Sequence, residues 1–275
     1  MKSFKEFDDG TPTTYVFVGD IMQHPQQLEF ESIREFSYNG VFDEVQPIID
    51  SGDYVIGNLE TLLTENFKMP GFREGKFRAP IEFGRELARV GFTHLCCMNN
   101  HCYDFGVEGF NESVKLIKKC GITPITGIGS IGDIDVLNVC THFNSSGRLN
   151  KEEMQSNILN DTVLSDRMKM CFIHWGEQYN LFPVPEQLDI NASLVNYGYT
   201  LIVGSGPHST NKTVMDDGIL TAYSLGDFLS AHQKEGTTNE GKILVVKVLN
   251  KRIVEYEEYN TETVQEYGKS IIKVK

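Results

Sequence analysis

A chain of 275 residues with 40% hydrophobic and 23% charged side chains is long enough to bury a substantial core without disulfide staples. Its 25 Lys and Arg against 38 Asp and Glu leave a net charge of -13, which opposes attraction to a phosphate backbone and argues against nucleic acid as a partner. A phosphorylated small substrate stays open, because a bound metal can reverse the local field. No apolar run approaches the ~18 residues of a transmembrane helix. Met1 to Gly10, MKSFKEFDDG, carries acidic residues where an export signal needs an apolar core. These features predict no membrane segment and a cytoplasmic location. The six cysteines, at 96, 97, 102, 120, 140 and 171, form no CxxC pair, which predicts reduced, buried thiols.

Short apolar runs alternate with amphipathic stretches through the first two-thirds of the chain. Thr14 to Gly19 reads as a buried strand ending at Asp20. Phe42 to Ile49 has apolar residues at helical spacing, and Asp53 to Gly57 is a second strand. Ile81 to Val90 is predicted helical and stopped by Gly91, and Thr93 to Met98 is the next strand. Val107 to Cys120 places Val107, Phe110, Val114 and Ile117 at spacings of three and four before Gly121, a helical stripe and a stop. Val136 to His142 is a strand, followed by a polar excursion over 144–167 with a helical candidate at Lys151 to Leu159. Met168 to His174 is a strand, Glu186 to Tyr197 a helix and Thr200 to Gly204 a strand. Hairpins follow: one turns at Asp217-Gly218, another at Asn250-Lys251 between Lys242–Leu249 and Arg252–Tyr256. Strand–helix alternation followed by hairpins predicts an α/β architecture of two sheets packed face to face with helices outside.

The informative pattern is where polar residues fall. The apolar strands end in Gly19-Asp20, in Asn58-Leu59-Glu60, in Asn99-Asn100-His101 with Asp104 close behind, in His174-Trp175-Gly176-Glu177, and in Gly204-Ser205-Gly206-Pro207-His208. Ligands of open α/β sheets bind beyond the carboxyl ends of strands, so these five segments are candidates for one site. Asp, Glu, Asn and His together are the donor set of a divalent site for manganese, iron or zinc. Two such ions about 3.5–4 Å apart form a clamp for phosphate-ester hydrolysis. His101 beside Asp104 has the composition of a proton donor with an orienting carboxylate. Each residue also fits a structural role: Asp20 as a helix cap, Asn99-Asn100 as a turn, His174 as a core histidine. Trp175 reads as packing, as do His24, His94, His142 and His232, with His24 nearest to Asp20 in sequence.

Taken together, VGDIM, GNLET, the FRAP segment, GFTHLCCMNNHCYDFGVEGF, HWGEQY and YSLGDF resemble the CapA family. That family is named for poly-γ-glutamate capsule synthesis and belongs to the calcineurin-like metallophosphatase superfamily. The likeness runs from about residue 16 to 229, with the motifs in family order. It implies a four-layer αββα sandwich with a dinuclear metal site at one edge. By motif, Asp20 would bind the first metal, Glu60 would bridge, and Asn100 would bind the second. His101 would be the general acid, held by Asp104. His174 would be a second-metal ligand with Glu177 nearby, and His208 would bind the first metal. The whole chain is expected to be a single domain, with residues 230–275 completing the second sheet.

The chain departs from the family pattern in places. Relatives usually read GHHPH where this chain has Gly204-Ser205-Gly206-Pro207-His208, and YSLGNF where it has Asp227. Met22 stands where the wider superfamily has a first-motif histidine, as is usual for this family. Relatives are often membrane-anchored. The second metal position keeps Glu60, Asn100 and His174, with Asp227 or water as a substitute donor. Two functions follow. The first is a metal-dependent phosphoesterase acting on a phosphorylated or anionic small molecule or polymer, linked by the family name to capsule synthesis. The second is a non-enzymatic binding or assembly protein on the same fold, favoured by Ser205 and Gly206.

Overall fold

Alternation along single strands sets the layers in a computed structural model that describes residues 10–68, 75–144, 147–148, 166–231 and 239–275. In strand β1 (Thr13–Ile21) Tyr15 and Phe17 face one way, Val16 and Val18 the other, and all four are buried. A strand buried on both faces needs a layer on each side. The first sheet is built from β1, β2 (Tyr54–Leu59), β5 (His94–Cys96), β6 (Thr123–Ile125), β15 (Asp227–Leu229), β16 (Glu240–Leu249), β17 (Arg252–Glu266) and β18 (Lys269–Val274). Its order is β18-β17-β16-β1-β2-β5-β6, with β15 also on β1. The second is built from β7 (Ile128–Ile131), β8 (Ile134–Cys140), β11 (Met168–His174), β12 (Tyr199–Ser205), β13 (Thr213–Asp216) and β14 (Ile219–Ala222). Its order is β13-β14-β12-β11-β8-β7. Two short pairs complete the described strands: β3 (Leu62–Thr64) with β4 (Arg78–Pro80), and β9 (His142–Phe143) with β10 (Gly147–Arg148).

Between the sheets Tyr15, Phe17 and Ile56 meet Met170, Phe172, Leu201 and Val203. Truncating a filled position such as Phe172 to Ala costs about 3–5 kcal/mol, because the transfer term and the cavity add. Outside the first sheet Val16, Val18 and Val55 pack with Phe83, Leu87 and Val90 of helix α3 (Ile81–Val90) and Leu116 and Ile117 of α4 (Gly106–Lys119). Two shorter helices, α1 (Pro25–Ile33) and α2 (Gln46–Asp50), lie earlier in the chain. Outside the second sheet Cys171, Ile173 and Ile202 pack on Ile190 and Leu194 of α5 (Pro185–Asn196). The result is helix, sheet, sheet, helix: the α/β sandwich expected from the sequence.

Several elements match their predicted bounds because local chemistry and burial agree. Helix α3 ends where Gly91, at φ 118°, takes the left-handed turn and returns its N–H to Leu87 O. Strand β11 spans Met168–His174 as predicted. The β16–β17 hairpin turns at Asn250 and Lys251, both with positive φ (51° and 63°), the backbone that a two-residue hairpin of native twist requires.

Other expectations are corrected. Strands β16–β18 extend the first sheet, not the second: β16 runs antiparallel to β1, from Thr13 opposite Val248 to Val18 opposite Ile243. Non-local pairing of this kind leaves no mark in a hydrophobic period. Helix α4 buries Ser113, Leu116 and Ile117, whereas Val107 is exposed. Strand β3 crosses this helix, and Ser113 Oγ accepts the Leu63 N–H at 3.0 Å, so a polar position belongs to its covered face. Helix α2 is only five residues long, preceded by turns over Tyr38–Val45. The helical candidate at Lys151 to Leu159 lies outside the described residues, as does His232. All six cysteines are free thiols. Among the described residues no helix is long and apolar enough to cross a membrane.

Candidate metal centre

The centre begins with an irregularity in β1. Its pairing with β2 shifts register between Val18 and Asp20, and its pairing with β15 shifts after Asp20. Bulges of this kind re-aim a side chain at a strand end. Gly19 makes the bulge possible, since a Cβ there would fall 2.0 Å from the Gly226 carbonyl oxygen. With no Cβ present, the Asp20 N–H donates to Gly226 O at 2.9 Å, and β15 lies parallel to β1 with Asp227 opposite Asp20.

Four predicted residues converge here: Asp20, Glu60, His174 and His208, all buried. Asp227, a substitute donor in the sequence reading, joins them. Their donor atoms form two groups sharing one corner: Asp20, Glu60 and His174, and Asp20, His208 and Asp227. His174 Nε2 and His208 Nε2 each lie 3.8 Å from the same oxygen, Glu60 Oε1. His208 Nδ1 is 3.3 Å from Asp20 Oδ2, and the Gly206 N–H donates to that oxygen at 3.2 Å. Asp227 lies with Asp20 and His208, on the first-metal side, and not beside His174 where a substitute donor was expected. His208 itself has φ 54°, a left-handed backbone that a non-glycine residue keeps only when its surroundings hold it there.

The electrostatics follow from three burials at one point. Burial opposes the Asp20 charge, but hydrogen bonding to His208 and the nearby imidazoles prevail, and its pKa falls to about 2. Glu60 moves the other way. Burial, then repulsion from Asp20, lifts its carboxyl well above the usual range. Burial disfavours the His208 cation, yet the Glu60 and Asp227 carboxylates outweigh it and raise its pKa well above an ordinary imidazole.

A divalent cation fits this donor set on an observation independent of any motif. Both Glu60 oxygens are buried and receive no hydrogen bond among the described residues; Asn100, the remaining predicted ligand, is buried too, with its Oδ1 likewise without a donor and its amide toward Asn144 Oδ1 at 3.5 Å. Buried carboxylates without donors are costly, and coordination to a cation is one of the few arrangements that removes the cost. These groups can hold a metal.

The predicted proton donor is linked to this cluster through two amides. His101 Nδ1 lies 2.8 Å from Asp104 Oδ2, which also accepts the Phe77 N–H at 2.9 Å. The Phe77 ring meets His101 edge-on, centroids 4.6 Å apart, and meets His24 at 5.0 Å. His24, assigned to packing, also begins α1, its N–H donating to Gln27 Oε1 at 2.7 Å. Two residues of the predicted strand-end segments that were given no site role, Asn58 and Asn99, tie the dyad to the cluster. The Asn58 amide donates to Asp20 Oδ1 at 2.7 Å, the Asn99 amide donates to Asn58 Oδ1 at 3.1 Å, and the His101 N–H donates to Asn99 Oδ1 at 3.1 Å. The Asn99 turn alternative is also realised, since Cys102 N–H donates to Asn99 O. The strand-end position of Asn58 was the available signal. Glu177 is not in the cluster; it is exposed and accepts from Asn180. Trp175 is fully buried, stacked on Tyr223, with its indole N–H donating to Tyr223 O at 2.8 Å.

Two facing sheets between helices define an α/β sandwich, with acids and imidazoles gathered at strand ends. Solved structures share the fold. A hypothetical protein from Thermus thermophilus is 14% identical with a TM-score of 0.56, covering 90% of this chain and 98% of that one. A novel phosphatase from Mycoplasma pneumoniae is 13% identical with a TM-score of 0.54, covering 90% and 93%. More specifically, the chain belongs to the family of the bacterial capsule synthesis protein PGA_cap, whose profile matches residues 14–133 and 139–232. Strands β16–β18 lie beyond that match. The capsule biosynthesis protein CapA of Bacillus anthracis is 27% identical over 246 residues, covering 78% of this chain. The PGA biosynthesis protein CapA of Bacillus subtilis strain 168 is 26% identical over 238 residues, also covering 78%. The aligned region spans 59% and 62% of the length of these two relatives.

Proposed function

We propose that this chain is a metal-dependent phosphoesterase acting on a phosphorylated or otherwise anionic small molecule or polymer in capsule-polymer synthesis. The observation that carries the reading is Glu60: a fully buried carboxylate with no hydrogen-bond donor on either oxygen, flanked by two imidazole Nε2 atoms at 3.8 Å. Asp20, Glu60 and His208 would hold one cation, and Glu60, His174 and Asn100 a second, with manganese, iron and zinc all suited to the mixed donors. A bound divalent cation would polarise a phosphoryl oxygen and lower the pKa of a water nucleophile.

The chain's own residues supply the rest. The Asp104 carboxylate fixes the His101 Nδ1 proton, which leaves Nε2 as the atom that exchanges a proton with a leaving oxygen. The Asn58–Asn99 amide relay holds the His101 backbone in fixed relation to Asp20, and Asp104 holds its ring. A net charge of -13 repels an anionic substrate, so recognition depends on the local positive field of the loaded centre. The direct experiment is divalent-dependent hydrolysis of an aryl phosphate. Wild-type turnover that vanishes in His101→Ala, with metal content retained, supports the reading, and a metal-loaded protein inert toward a phosphoester panel contradicts it.

The second reading, a binding or assembly protein on the same scaffold, is favoured by one observation. A Cβ at Gly206, with φ 109°, would meet the Trp175 carbonyl oxygen at 2.7 Å, so the backbone here excludes the histidine that relatives carry.

A further inference from the structure

The two histidines of the centre are held differently. His174 Nδ1 lies 3.0 Å from Ser205 Oγ and 3.3 Å from Asn58 Nδ2, both neutral groups, with Asp20 Oδ1 farther off at 3.9 Å. His208 Nδ1 lies 2.9 Å from Asp227 Oδ1 and 3.3 Å from Asp20 Oδ2. Both rings turn Nε2 toward Glu60 Oε1 at the same 3.8 Å. Asp227 is no mobile loop residue. It sits in β15, 1% exposed, in register with Asp20 across the bulge that Gly19 permits.

A carboxylate that accepts an imidazole N–H fixes the tautomer and ring orientation and makes the opposite nitrogen a stronger donor. Metal-bound histidines commonly have such a partner. We propose that Asp227 is a positioning residue for the metal centre: it accepts the His208 Nδ1–H, directs Nε2 at Glu60 and thereby strengthens cation binding on that side. The inference rests on the metal centre proposed above and adds a role for an acid at a position where relatives usually have Asn. The left-handed backbone of His208, φ 54°, fits a ring whose placement is dictated from both ends.

The test is the affinity of the full chain for Mn2+ and Zn2+, measured by chelator competition, in wild type, Asp227→Ala, Asp227→Asn, His208→Ala and the Asp227→Ala/His208→Ala double variant. Asp227→Ala is expected to weaken binding about 10–100-fold. Asp227→Asn should weaken it less, because an amide oxygen still accepts the N–H; it also serves if the Ala variant fails to fold. The double variant should bind like His208→Ala alone, since Asp227 acts through that ring. A double variant weaker than His208→Ala would make Asp227 a direct ligand and overturn the positioning role. Unchanged affinity in the folded Asp227 variants would overturn it too. Wild-type protein that binds the cation but hydrolyses no phosphoester would sink only the phosphoesterase reading, whereas failure to bind any cation sinks both.

Discussion

The two sheets bring different chemistry to one edge. The first supplies oxygen donors and amides: Asp20 from β1, Asn58 and Glu60 from the end of β2, Asp227 from β15. The second supplies imidazoles: His174 from the end of β11 and His208 just beyond β12. Neither sheet holds a complete donor set, so the centre exists only while the sheets stay in register. That register is fixed locally. The Leu225 N–H donates to Gly204 O, and the Gly206 N–H reaches across to Asp20. The anions of the first sheet hold the imidazoles of the second, which is why burial alone does not set the charge state of any one residue.

The largest effect that would sharpen this contrast lies on the first-sheet side. His101→Ala is expected to lower phosphoester turnover about 10²–10⁴-fold while metal content by mass spectrometry stays at the wild-type level. Loss of metal in that variant would mean the dyad belongs to the cradle and not to proton transfer.

Removing the metal comes next. At a cation concentration of 100 times Kd, the loaded protein should exceed the metal-free form by about 2.7 kcal/mol, read as a rise in Tm with added Mn2+ or Zn2+. The metal-free protein should also have an unusual pH profile. Asp20, lowered to about 2 from 3.8, contributes stability that is present above pH ~4 and lost as pH falls toward 2. Glu60, raised above 4.5, contributes stability that is full below that pH and lost as pH rises through its folded value. Metal-free Glu60→Gln should therefore be more stable than metal-free wild type at neutral pH, by about 1–3 kcal/mol. It should also lose the stabilisation by cation. Urea unfolding at several pH values checks both signs.

The second sheet gives the smallest expected effects. Trp175→Phe removes one buried hydrogen bond and should cost about 1 kcal/mol of stability without changing cation affinity. Ser205→Ala should weaken cation affinity by less than Asp227→Ala does, because a hydroxyl polarises His174 less than a carboxylate polarises His208.

Legibility in the sequence follows the same division. The strand ends bearing Asp20, Glu60, His174 and His208 are readable because each polar residue closes an apolar run, a local pattern. Helix α3 and the Asn250-Lys251 turn are readable for the same reason. The pairing of β16 with β1 is not, since antiparallel partners more than two hundred residues apart share no periodic signal. Asp227 is visible in sequence only as a departure from a motif. Its contact with His208 depends on the bulge at Gly19, and glycine gives no hint of what approaches it. The amides of Asn58 and Asn99 read as strand and turn residues because a relay is defined by contacts across strands, not by spacing along one. Glu177 follows His174 closely in sequence, yet the turn after β11 leaves it at the surface.

A metal site at Glu60, a buried carboxylate with no hydrogen-bond donor between imidazoles from the opposite sheet, has a measurable consequence. It is tested most directly by metal content. Protein purified without chelator or a nickel column, beside Glu60→Ala prepared identically, would be measured by mass spectrometry. The wild type should carry at least one equivalent of manganese, iron or zinc, and the folded variant should lose it. Wild-type protein that is folded, devoid of metal and unable to take it up would mean that Glu60 is not a metal ligand.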